Sequence, residues 1–89
     1  MKFTWDDKKA RLNLKKHGIP FDQATSIFFD SFAGTIPDPD HSIGEHRFLT
    51  FGQAADGRLI VVSHTDEGDV IRIISAREAN RNERKSYEG

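Results

Sequence analysis

The sequence predicts an α+β fold on three observations. Two β-branched runs, Leu59-Ile60-Val61-Val62 and Val70-Ile71-Arg72-Ile73-Ile74, flank Asp66-Glu67-Gly68-Asp69, the pattern of a hairpin. Asp6 and Gly18 bracket a helical stretch with a capping residue at one end and a left-handed stop at the other. A second hairpin signal, Asp56-Gly57, follows the strand-like Arg47-Phe48-Leu49-Thr50-Phe51-Gly52. The resulting order is a strand, two helices, a four-stranded and mostly antiparallel sheet, and a C-terminal helix, with the helices on one face.

Composition narrows the class. Eighty-nine residues, 36% hydrophobic and 30% charged, suit one small folded domain spanning 1–89. With no cysteine there is no disulfide and no thiolate metal site. No apolar run approaches the roughly 18 residues of a membrane span, and Met1-Lys2-Phe3 opens no signal peptide. A soluble cytoplasmic protein without membrane contact is expected. The net charge of −1 conceals segregation: residues 1–19 carry six Lys/Arg against two Asp, and residues 20–57 carry Arg47 alone against six acids. Such segregation can produce one basic and one acidic surface.

In chain order, Phe3-Thr4-Trp5 reads as a short edge strand. Asp6 starts a helix that runs to His17, with Ala10 and Leu14 as its apolar stripe and Lys9, Asn13, Lys16 and His17 on another side. Ile19-Pro20-Phe21 is extended, and Asp22 caps a short helix burying Ala24, Ile27 and Phe28. Ala33-Gly34-Thr35-Ile36 is a weak strand. The loop from Asp38 to His46 gathers carboxylates and the imidazoles His41 and His46, but it lacks helical or strand-alternating ligand spacing. No metal and no cofactor are expected. After the second β-branched run, Ser75-Ala76-Arg77-Glu78 has capping-box spacing, which predicts a helix with Arg77, Arg81, Arg84 and Lys85 on one stripe. The hairpin is apolar on both faces, so part of the sheet should be covered by a second chain.

Several residues carry two readings each. Arg72, amid Ile71, Ile73 and Ile74, either pairs with an acid such as Glu45 or Glu83 or faces an anionic ligand. Arg77 in a first helical turn opposes the dipole, so it is an anion-binding residue or a surface charge. His64 suits a general acid or base, or a satisfied core histidine. His17 is either a helix C-cap or a catalytic imidazole. Tyr87 either packs its ring or touches ligand.

Trp5-Asp6, Lys9, Asn13, Lys16-His17-Gly18-Ile19 and Phe21 resemble a known pattern, continued by Asp38, His41, Glu45, Arg47, Arg72-Ile73-Ile74-Ser75-Ala76-Arg77, Glu83 and Tyr87. The chain resembles the BrnT-type toxins of type II toxin–antitoxin systems over nearly its whole length. The resemblance implies a compact RelE-like fold and metal-free RNA cleavage. It also implies a ribbon-helix-helix antitoxin of the BrnA type in a 2:2 complex, through which alone operator DNA is bound. Such cleavage uses the substrate 2′-hydroxyl as nucleophile, so the protein must move protons and offset charge on the phosphorane. The chemistry selects His17, His64, Arg72 and Arg77 as catalytic candidates, and Lys9, Lys16, Arg47, Arg81, Arg84 and Tyr87 as RNA-binding candidates. The competing reading is a non-catalytic module that binds an antitoxin and serves operon autorepression.

Overall fold

A computed structural model describes residues 1–39 and 46–88. The elements are β1 (Lys2–Thr4), α1 (Asp7–His17), α2 (Phe21–Thr25) continuing into a 3-10 turn (Ser26–Phe29), β2 (Gly34–Pro37), β3 (Arg47–Gln53), β4 (Leu59–Glu67), β5 (Val70–Glu78) and α3 (Arg81–Glu88). The five strands lie in the order β1-β5-β4-β3-β2. Strands β2 to β5 pair antiparallel, whereas β1 pairs parallel with β5, Phe3 opposite Ile71. The sheet is therefore mixed and five-stranded, because the first strand joins it beside the last.

Local chemistry fixes α1. The Asp6 carboxylate accepts from the Lys8 amide, and Gly18 at φ 71° closes the helix by donating its N–H to the Leu14 carbonyl. The face that α1 buries differs from the expected stripe. Leu14 is 47% exposed, whereas Asn13 is buried. Its amide donates to the Ile19 and Ala76 carbonyls at 3.1 and 3.0 Å and accepts from the Ala76 N–H at 3.0 Å. Three hydrogen bonds satisfy a polar side chain that is otherwise costly to bury.

Helices cover both faces rather than one. Against α1, α2 and the 3-10 turn lies the main core: Ile19, Phe21, Ala24, Ile27, Ile60, Val62, Ile71, Ile73 and Ala76, joined by Phe3, Trp5 and Phe28. Gly52 permits the approach of the 3-10 turn, since a Cβ there would meet the Ile27 Cβ at 3.0 Å. On the other face a smaller cluster of Leu59, Val61 and Ala79 packs with Leu49, Phe51 and Tyr87 under α3.

The last helix starts later than the Ser75 pattern predicts. β5 continues to Glu78, and the capping box belongs to Asn80-Arg81-Asn82-Glu83. The Glu83 N–H donates to Asn80 Oδ1 at 2.9 Å, and the Asn80 N–H donates to Glu83 Oε1 at 2.8 Å. Ladder pairing of Ser75, Ala76, Arg77 and Glu78 with Ser63, Val62, Val61 and Ile60 supplies backbone partners that an early helix would forfeit. Arg77 is thus a strand residue, and no helix dipole opposes it.

Candidate functional site

The sheet register decides which polar side chains meet. Thr65 of β4 stands opposite Arg47 on one side and Arg72 on the other, so Arg47, Thr65 and Arg72 form one row across three strands. The next row on this face is Leu49, Ser63 and Ser75, and the third is Phe51, Val61 and Arg77. Strict alternation would not place Arg72, Ser75 and Arg77 together. A β-bulge makes it possible: Ser63 pairs with Ser75 but His64 pairs with Ile73, leaving Ile74 as the extra residue.

A cleft of about 320 Å³ opens on this face, lined by Asp38, Arg47, Leu49, Ser63, Ile74, Ser75 and Arg77. Arg72 lies on the same face, outside the cleft lining, and donates from Nε to Thr65 Oγ1 at 3.4 Å. Asp38 is buried, and its N–H donates to the Arg47 carbonyl, which fixes the β2 end against β3. Arg77 presents its guanidinium to Glu83 of α3 as a fork, Nη1 to Oε1 at 2.8 Å and Nη2 to Oε2 at 2.9 Å. That bidentate bond raises the Arg77 pKa and lowers that of Glu83. Glu83, expected as one choice of partner for Arg72, is engaged by Arg77.

The two histidine candidates lie elsewhere. His64 points to the opposite face and is 1% exposed, between the rings of Phe28 and Phe48. Its Nδ1 lies 2.8 Å from Asp66 Oδ1 and its Nε2 2.7 Å from Thr50 Oγ1. Burial lowers its pKa, with the Asp66 carboxylate acting against that shift. In the neutral ring Nδ1–H donates to Asp66 and Nε2 accepts from Thr50, whose own oxygen accepts from Thr35 at 2.8 Å. His17 is exposed at the end of α1, on the far side of the sheet from the cleft, as are Lys9 and Lys16.

Arg81 and Arg84 are exposed on α3. The Tyr87 ring packs on the smaller cluster, and its hydroxyl donates to Asp30 Oδ2, a carboxylate that also accepts from the Gln53 N–H at 2.8 Å. These bonds lower the Asp30 pKa, the Gln53 amide first among them, while the bond to Asp30 raises that of Tyr87. Among the described residues no group of three or more His, Asp or Glu gathers as a metal site. His41 and Glu45 lie outside the described residues.

Sequence reasoning gave no site role to Asp38, Ser63, Ser75 or Asn13, although the family pattern includes Asn13, Asp38 and Ser75. The available signal was two serines interrupting apolar runs, but only the bulge aligns them. Arginine forks and hydroxyls around one cavity make a surface suited to phosphate groups.

A small mixed-sheet domain with this surface matches, over residues 5–83, the family model described as "Ribonuclease toxin, BrnT, of type II toxin-antitoxin system". The chain belongs to the BrnT family. Among solved structures it is similar to the 1.1 Å crystal structure of the Brucella abortus ribonuclease toxin BrnT. That match has a TM-score of 0.70 and 25% identity, covering 91% of this chain and 99% of the other. None of the curated proteins matches this chain. No helix among the described residues is long and apolar enough to cross a membrane.

Proposed function

We propose that this chain, a single toxin domain over 1–89, cleaves RNA at the cleft between β3, β4 and β5 and thereby inhibits translation and growth. The observation that carries the reading is that Arg47, Arg72 and Arg77 share one sheet face, with Arg47 and Arg77 lining its cleft. Guanidiniums there hold the scissile phosphate and offset the charge that builds on the phosphorane as the 2′-hydroxyl attacks. Ser63 and Ser75 supply hydroxyl donors beside them. Asp38 is the carboxylate that lines the cleft, and it takes the role of proton acceptor that His64, locked in the core, is not positioned to play. Lys9, Lys16, Arg81 and Arg84 then act at a distance, through the field they add around bound RNA. The reaction needs no metal. The fold is read as a variant of the RelE-like plan, and the protein works in the cytoplasm.

Neutralisation in this reading comes from a BrnA-type ribbon-helix-helix antitoxin in a 2:2 complex, which alone contacts operator DNA. Phe32 and Ile36, exposed beside a groove between β2 and α3, give such a partner apolar surface to cover. A second reading, binding without cleavage, is favoured by one observation: neither His17 nor His64 lines the cleft.

The deciding measurement is cleavage of RNA by purified protein in excess EDTA. Wild-type protein is expected to generate 2′,3′-cyclic phosphate ends under those conditions. Arg72→Ala is expected to lose about 10²-fold in rate, the size of effect seen when one charge-stabilising donor is removed. Rates that vanish in chelator, or equal rates for wild type and Arg72→Ala, would reject the site as drawn.

A further inference from the structure

Strand β5 has a neighbour on its outer edge for only part of its length. β1 pairs with Val70, Ile71 and Arg72, and among the described residues no strand continues beside residues 73–78. Among the described residues, the place of a neighbouring strand beyond β1 is taken by a side chain. Asn13 of α1 donates to the Ala76 carbonyl at 3.0 Å and accepts from the Ala76 N–H at 3.0 Å. This is the two-bond exchange that a residue of an adjacent antiparallel strand would make. The third bond, to the Ile19 carbonyl at 3.1 Å, locks the Asn13 amide against rotation.

Ala76 sits between Ser75 and Arg77, two residues after the bulged Ile74. A bulge inserts one residue and reverses the faces of everything that follows it. With Ile74 paired regularly, Ser75 and Arg77 would turn toward the main core and Ala76 toward the cleft. We infer that Asn13 is a positioning residue for the cleft: by clamping Ala76 from the opposite side of the sheet, it holds the bulged register that delivers Ser75 and Arg77 beside Arg72. Asn13 lies on the far side of β5 and touches no ligand. Its influence passes through the backbone of one residue. The inference rests on the cleft being the site of RNA binding and cleavage.

The test compares Asn13→Asp, Asn13→Ala and a control, Ile19→Val, which trims the core beside Asn13 and leaves its amide in place. Asn13→Asp keeps the acceptor for the Ala76 N–H but opposes a carboxylate to two carbonyls. Each protein is assayed well below its own melting temperature, where it is fully folded. Two readouts are taken: RNA cleavage, and the phosphate-induced shifts of the Ser75 amide and the Arg77 Nε–H in NMR titrations with inorganic phosphate. Both Asn13 variants are expected to lose at least 10-fold in kcat with KM changed less than threefold, and to lose the concerted response of Ser75 and Arg77 to phosphate. Ile19→Val is expected to retain both. Should Asn13→Ala not fold, Asn13→Asp alone carries the comparison. If folded Asn13 variants respond to phosphate and cleave as wild type does, the inference is overturned. If the wild type cleaves no RNA while the phosphate responses still separate the variants as expected, the ribonuclease reading fails and the positioning role stands.

Discussion

The two faces of one sheet solve opposite problems. On the α1 side, Ile60, Val62, Ile71, Ile73 and Ala76 meet Ile19, Phe21 and Ile27 in a fully apolar contact. The polar groups admitted there are each given partners: Asn13 makes three hydrogen bonds, and His64 has a partner at each ring nitrogen and is kept neutral. On the α3 side the same strands present arginines and serines, and only the Leu59, Val61 and Ala79 patch is sealed. Partly exposed guanidiniums escape much of the desolvation cost that the core would impose. Stability is thus concentrated in one layer and the proposed ligand chemistry in the other, and the backbone of β5 is common to both.

The sharpest way to break this division is to damage the apolar layer. Ile60→Ala should cost about 2–5 kcal/mol of unfolding free energy, the range for deleting a buried Leu or Ile side chain. In urea titrations the midpoint should fall while cleavage per folded molecule stays unchanged. An Ile60→Ala variant with intact stability but lost activity would show that the apolar contact itself reaches the cleft. The pH dependence probes the same layer. The His64 pKa is lowered in the folded chain, so the unfolded chain binds the proton first, near pH 6.5. Stability is therefore whole above about pH 6.5 and declines as pH falls from there toward the lowered folded value, with a slope of at most about 1.4 kcal/mol per unit. His64→Gln should flatten that slope between pH 7.5 and 5, measured by chemical unfolding at fixed salt; an unchanged slope would place its origin elsewhere. Smallest in effect is Asn80→Ala, which removes a cap worth about 1 kcal/mol. Because Glu83 serves both that cap and Arg77, the variant should loosen α3 and leave the apolar layer untouched. Hydrogen exchange should quicken in residues 81–88 and remain slow in β4.

What the sequence made legible was local. Asp6 and Gly18 announce both ends of α1, and Asp56-Gly57 announces the turn between β3 and β4, because each signal acts within a few residues. The family was legible as well, through motifs spread along the chain. The end of β5 was not. Ser75-Ala76-Arg77-Glu78 and Asn80-Arg81-Asn82-Glu83 carry the same capping pattern, and only pairing with β4 tells them apart. A single inserted residue at Ile74 likewise leaves no trace in periodicity, yet it moves Arg77 from one face to the other. Asn13 falls on a polar side of α1 by spacing, and its burial was not foreseen because a buried stripe is sought among apolar residues. Its value lies in three hydrogen bonds to backbone distant in sequence.

The parallel pairing of β1 with β5 also sets a timetable. Phe3 finds Ile71 only after every residue between them has been made, so the sheet of a nascent molecule stays open on that side until β5 is available. Arg72 and Arg77 arrive on the same late strand. A growing chain therefore holds no finished cleft before β5 has been made. Assembly of the cleft waits on β5, and so, if the proposed activity holds, does the onset of danger to the cell.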